Sequence, residues 1–252
     1  MSFFRRALAA VAGLVIGLGA SLASAAELAP QRPGVVDTYF VGFAGWGAQD
    51  VFLSEARGAA AVVASAYKSP DRALLLSNER GSGPPAATPK ALGEALVTVA
   101  RTMDTREDVL FLLVTSHGSP QGVALERHGA VFGVLSPTAL RRMLDASGIK
   151  NAVVVVSACY SGVYRALGTP DRLVIMAARP DRPSFGCKDG ERWTYFGEAF
   201  FPGALARTPD PRRAFAAAKA IVTKRELADG FPPSEPQIAG GRRVAARLSG
   251  AR

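Results

Sequence analysis

The chain has 252 residues, 48% of them hydrophobic, with a formal net charge of +9, two cysteines and two histidines. That apolar fraction excludes a disordered protein, and two cysteines exclude a disulfide framework. With no C-x-x-C or H-x-x-x-H spacing, structural zinc is disfavoured too, and no motif calls for a cofactor or metal.

Residues 1–26 read as an export leader. Arg5 and Arg6 give a positive start, and an apolar run extends from Ala7 to about Ala20. Ala23-Ser24-Ala25 then supplies small residues for cleavage ahead of Ala26 or Glu27. The run is short and rich in Ala and Gly for a stable span, which favours a cleaved signal over a membrane anchor. A mature chain without a membrane span, periplasmic or secreted, is expected. Cleavage removes two arginines and leaves a charge of about +7, which raises nucleic acid as a partner. The basic residues are scattered, however. Their one cluster, Arg242, Arg243, Arg247 and Arg252, lies among Gly and Ala with no interleaved aromatic residue. Residues 241–252 therefore read as a basic, disordered tail, and no nucleic-acid partner is expected.

Past the leader, apolar strands alternate with amphipathic helices. Val35 to Ala44 is an extended run, and a helical pattern follows from about Asp50 to Tyr67. Ala73 to Leu76 is a short second strand, and the Gly/Pro-rich stretch Gly81 to Ala87 is a loop. Thr88 caps a helix that starts at Pro89 and runs to about Met103. Asp108 to Thr115 is a nearly continuous apolar strand, and Ser136-Pro137 opens a helix ending near Gly148. Ala152 to Val156 is the most apolar strand, and Leu173 to Ala177 is another. Thr194 to Leu205 and Pro211 to Ala228 complete the helices. Continuous apolar strands between helices predict a mostly parallel sheet covered on both faces, an α/β fold of the three-layer α/β/α sandwich type.

In such a sheet, functional groups gather at the carboxyl ends of the strands. Two apolar strands end in Thr115-Ser116-His117-Gly118 and in Val156-Ser157-Ala158-Cys159, so a rare His and a rare Cys each follow a buried strand. A thiol attacks a carbonyl only as thiolate. A neighbouring imidazole takes its proton, or holds the thiolate as an ion pair, and later protonates the leaving amine. His117 and Cys159 are 42 residues apart, a strand–loop–helix–strand passage that returns the chain beside its start. Gly118 permits close approach of a substrate carbonyl. Its N–H and that of Cys159 form the expected oxyanion hole, worth about 3–4 kcal/mol in comparable sites.

These residues resemble the legumain family of cysteine peptidases, within the caspase-like group that includes the catalytic subunit of GPI transamidase. The matching residues are Thr115-Ser116-His117-Gly118 and Ser157-Ala158-Cys159-Tyr160-Ser161-Gly162. Further matches are Ala177-Ala178-Arg179-Pro180, Ser184-Phe185-Gly186-Cys187 and Thr194-Tyr195-Phe196-Gly197-Glu198. The resemblance, to a bacterial-type exported member, covers about Val36 to Gly230 and implies one peptidase domain over residues 27–240. It also implies a caspase-like fold, a polypeptide substrate and hydrolysis through a thioester, with His117 as base and Cys159 as nucleophile.

Family members that cleave after Asn carry, beyond a Gly-Trp pair, an Asn that orients the His and an Arg at the pocket floor. Here Gly45-Trp46-Gly47-Ala48-Gln49-Asp50-Val51 stands in that place. By resemblance Gln49 replaces the orienting Asn, and Asp50 stands at the pocket floor in place of a basic residue. Glu198 matches the acidic pocket residue, Ser184 the small polar one, and Ser157 replaces an acid two residues before the cysteine. An acidic pocket favours Lys or Arg before the scissile bond, with Asn as the alternative. Cys187 reads as a buried apolar cysteine, and His128, beside Glu126, Arg127 and Gly129, as an exposed loop residue.

Three function classes follow. An endopeptidase is favoured. A transamidase or ligase would resolve the same thioester with an amine. A catalytically idle binding domain conflicts with the intact His-Gly and Ala-Cys pair. An α/β-hydrolase is disfavoured because the mature chain has no G-x-S-x-G elbow. No feature bears on oligomeric state.

Overall fold

Alternate residues of the apolar strands face two different cores, and this decides the layering. A computed structural model describes residues 28–250. In chain order the elements begin β1 (Thr38–Ala44), α1 (Val51–Ala66), β2 (Ala73–Ser77), α2 (Pro89–Thr102) and β3 (Val109–Thr115). There follow β4 (Gly118–Ser119), β5 (Gly122–Arg127), β6 (Ala130–Leu135), α3 (Pro137–Ala146), β7 (Ala152–Ser157) and β8 (Arg172–Met176). The chain ends in α4 (Tyr195–Phe200), α5 (Pro211–Ala228), β9 (Gln237–Gly240) and α6 (Arg242–Gly250).

The main sheet has the order β2-β1-β3-β7-β8-β9, parallel except for β9, which runs antiparallel to β8 at the edge. Leu110, Leu112 and Val114 of β3 join a core with Leu92 and Leu96 of α2 and Leu140 and Leu144 of α3. The intervening Val109, Phe111 and Leu113 join the opposite core, with Ala56 and Val63 of α1, Phe196 of α4 and Phe215 of α5. Strand β7 divides in the same way, Val154 and Val156 to one side and Val153 and Val155 to the other. All but the last position of β3 and of β7 is apolar because both faces are covered. Each such buried side chain contributes roughly 1.5–3 kcal/mol. The expected three-layer α/β/α sandwich is the architecture found.

Several elements depart from expectation. The first strand begins at Thr38, and Val35 is exposed. Strands β4–β6 form a separate antiparallel sheet. His128 and Gly129 link β5 to β6 with φ of 57° and 83°, the geometry of a two-residue type I′ turn. Val131, Phe132 and Val134 of β6 are exposed, so the strand lacks the alternation that marks a half-buried one. The helix expected over Thr194 to Leu205 is α-helical as far as Phe200 and π-helical over Phe201–Leu205, where Pro202 has no N–H to donate. The tail expected to be disordered is instead helical over Arg242–Gly250. Val244, Ala245 and Leu248 lie on one helical face and are buried, and Arg243 pairs with Asp171 at 2.8 Å. Arg252 and the expected leader lie outside the described residues. Among the described residues no helix is long and apolar enough to cross a membrane.

Strand β2 lies on one side of β1 and β3 on the other, so the order reverses there and a crevice opens at the carboxyl ends. Ala44 of β1 pairs with Thr115 of β3, and Thr115 with Ser157 of β7. Three strands thus end level.

Candidate active site

Strands β1, β3 and β7 deliver Gln49, His117 and Cys159 to one edge of the sheet. His117 follows β3 by two residues. It is half-buried, with the ring centroids of Trp46 at 4.7 Å and Phe52 at 5.3 Å, both edge-on. Gln49 Oε1 lies 2.5 Å from His117 Nε2, and the Gln49 amide nitrogen donates to the Cys187 carbonyl at 2.9 Å. That carbonyl fixes which way the amide points. Nε2 must therefore donate to Oε1, which leaves the lone pair on Nδ1. Burial lowers the imidazole pKa, so the ring is neutral at pH 7.

The loop that presents Gln49 is held by a buried carboxylate. Glu126 accepts the N–H of Gly47 (2.9 Å) and of Ala48 (2.8 Å) on Oε2, and that of Gly129 (2.5 Å) on Oε1. Charge-assisted bonds of this kind are short and strong, and they tie the β1–α1 loop to the β5–β6 hairpin.

Cys159 sits on the bend after β7. Tyr160 turns the chain with a left-handed φ of 57°, and its N–H donates to the Arg182 carbonyl at 2.8 Å. The thiol is half-exposed. It accepts the Ser184 N–H at 3.3 Å and hydroxyl at 3.8 Å, and donates to the Ser184 carbonyl at 3.4 Å. Those are its hydrogen bonds among the described residues, and His117 is not among them. Catalytic hydrogen bonds are often long without substrate and tighten in the complex. The two loops nevertheless touch: a Cβ on Gly118 would lie 2.1 Å from the Cys159 carbonyl oxygen, so only glycine fits.

Beneath these loops lies a residue that sequence reasoning missed. Glu55 of α1 is fully buried and accepts hydrogen bonds from Thr115 Oγ1, Ser157 Oγ (3.1 Å) and Thr194 Oγ1 (2.8 Å). Among the described residues no cation pairs with it. Burial raises its carboxyl to about 7 against the pull of the three hydroxyls. A signal existed, since Glu55 falls within the buried stripe of Phe52, Ala56, Ala59 and Val63. An acid on such a stripe demands partners from elsewhere.

Of the expected pocket residues, Ser184 bonds the Cys159 thiol, whereas Ser157, two residues before it, turns its buried hydroxyl to Glu55 and Thr194. Asp50 and Glu198 make their side-chain bonds elsewhere. The Asp50 carboxylate accepts the Gly190 N–H at 2.9 Å and borders an open cleft of about 470 Å³ with Arg57, Glu79 and Arg192. Glu198 is exposed and bonded to Arg225, whose guanidinium lies 3.7 Å over the Tyr195 ring. Cys187 packs beside Phe52 and Leu53. Burial, aided by Cys159 and Glu55, pushes its thiol up to about 12. Both cysteines are free. His128 is a turn residue, exposed at the hairpin tip. Among the described residues no group of His, Cys, Asp and Glu could hold a metal ion.

A comparison with curated proteins gives no match. Among solved structures, the crystal structure of caspase-1 from Spodoptera frugiperda is similar, with a TM-score of 0.55 at 13% sequence identity. That likeness, one of fold, covers 82% of this chain and 87% of that chain. A family profile described as Peptidase C13 matches residues 93–242, more than half of the chain and including the strands that end at His117 and Cys159. The chain belongs to the Peptidase C13 family of cysteine peptidases.

Proposed function

We propose that the chain is an endopeptidase that cleaves peptide bonds through a thioester at Cys159, with His117 as general base and acid. The observation that carries this reading is the Gln49 contact. It occupies Nε2–H of a neutral, half-buried imidazole and leaves Nδ1 as the basic nitrogen, one strand away from the thiol. Nδ1 accepts the proton from Sγ as sulfur attacks the scissile carbonyl. The oxyanion forms beside the N–H groups of Gly118 and Cys159. The imidazolium then protonates the leaving amine and the C–N bond breaks. Water next attacks the thioester and gives its proton to Nδ1. The acid product leaves, and the proton returns to sulfur.

Nearest the nucleophile, Ser184 bonds Sγ, and Ser157 stands two residues before Cys159 with its hydroxyl on Glu55 and Thr194. Among the described residues no cation bonds to either side chain. This favours Lys, Arg or Asn over Asp before the scissile bond, because a desolvated carboxylate without a partner is strongly disfavoured.

An electrophilic peptide carrying Arg or Asn is expected to label Cys159. Labelling and peptide hydrolysis are both lost in Cys159→Ala and in His117→Ala. Hydrolysis that persists in Cys159→Ala overturns the proposal. Matched peptides with Lys, Arg, Asn and Asp test the pocket, and fastest turnover of the Asp peptide contradicts the stated preference.

A further inference from the structure

We propose that Glu55 is a positioning residue of this peptidase site. Through three hydroxyls it locks together the strand end carrying His117, the strand end carrying Cys159 and the segment carrying Ser184. The proposal rests on the peptidase reading above. Thr115, on Oε2, lies two residues before His117, and Ser157, on Oε1, lies two residues before Cys159. Thr194, also on Oε1, caps α4 by accepting the Gly197 N–H at 3.0 Å. It thereby ends the segment in which Ser184 grips Sγ.

Main-chain pairing already joins Thr115 to Ser157. What the carboxylate adds is the third segment, which shares no strand pairing with either. The Ser157 and Thr194 hydroxyls lie 3.0 Å apart and converge on the same oxygen. A Cβ on Gly197 would lie 1.7 Å from Oε1, so the first turn of α4 seats its backbone directly on the carboxylate. An apolar side chain would remove the acceptor that these buried hydroxyls share, whereas a carboxylate offers two oxygens and four lone-pair directions. The group is fully buried and lacks a cation, which raises its pKa and detracts from stability. It is therefore poorly explained as packing, and its directional bonds specify one arrangement of the three segments. Among the described residues Glu55 bonds neither Sγ nor the imidazole, so it acts through the residues beside them.

The test compares the full chain with Glu55→Gln and Glu55→Ala, on Arg and Asn peptides and in the pH profile of Cys159 alkylation by iodoacetamide. Displacing a dyad by about 1 Å costs on the order of 100-fold. Glu55→Ala should therefore lose about that much in kcat on both peptides, with KM changed less than about threefold. Its pH profile of Cys159 alkylation should differ from that of the parent chain. Glu55→Gln keeps the shape and one acceptor oxygen, and recovers part of kcat and of the original profile. It also remains the informative variant if Glu55→Ala does not fold. An unchanged kcat and alkylation profile in Glu55→Gln and Glu55→Ala overturns the proposal. So does a loss confined to Arg peptides, which would make Glu55 a reader of substrate charge. A parent chain that cleaves no peptide refutes the peptidase reading instead, and the alkylation profiles still decide the role of Glu55.

Discussion

The ring of His117 is placed by three neighbours from the β1–α1 region, Trp46, Gln49 and Phe52, and its chemistry follows from which nitrogen they occupy. A base must be neutral to accept a proton. Burial lowers the pKa of His117, so the acid limb of the kcat/KM profile should fall below the ordinary histidine value of about 6.5. Gln49→Glu would set a carboxylate against Nε2–H and favour the imidazolium, moving that limb to higher pH. A pH–rate profile that stays in place in Gln49→Glu would contradict the assigned tautomer. His117 and Cys159 were legible because each rare residue follows a continuous apolar strand. Glu55 was not, because its partners Thr115, Ser157 and Thr194 lie between 60 and 139 residues away.

Among the elements, the hairpin of β5 and β6 does more than decorate the sheet. Its Glu126 receives two amides from the loop leading into α1 and one from its own turn, so the hairpin holds the loop that carries Gln49. Glu126→Ala leaves the Ala48 and Gly129 amides without their acceptor, while the Gly47 N–H keeps the residue-126 main-chain carbonyl, and should destabilise the fold by on the order of 3 kcal/mol. It should also lower kcat as Gln49 moves off His117. Denaturant unfolding and peptide kinetics on the same variant measure both effects, and parental stability would remove the clasp from the account. The hairpin escaped sequence reading because exposed apolar residues on β6 imitate neither a buried strand nor a half-buried one. The N-caps of α2 and α3 were legible, since Thr88 and Ser136 each precede a Pro and accept a hydrogen bond from an N–H three residues on.

Across the whole molecule the chain closes on itself through α6, which packs Val244 and Leu248 into the core that also holds Leu173 and Phe215. Leu248→Ala should lose about 2–5 kcal/mol, as buried leucines do. For a chain of this size each kcal/mol lowers Tm by roughly 2–4 °C. Calorimetry showing no shift would restore the view of the tail as a disordered appendage. Local pattern determined the alternation of strands and helices, the two-faced burial of the sheet and the strand-end positions of His117 and Cys159. All of these depend on periodicity and on neighbours in sequence. Tertiary structure alone decided that Ala44, Thr115 and Ser157 end level. It alone decided that Glu198 meets Arg225, that Asp50 meets Gly190, and that Glu55 lies under the strand ends before His117 and Cys159. A carboxylate looks the same in any sequence window. Its role depends on which distant donors the folded chain brings within hydrogen-bonding distance, and short-range pattern does not encode that.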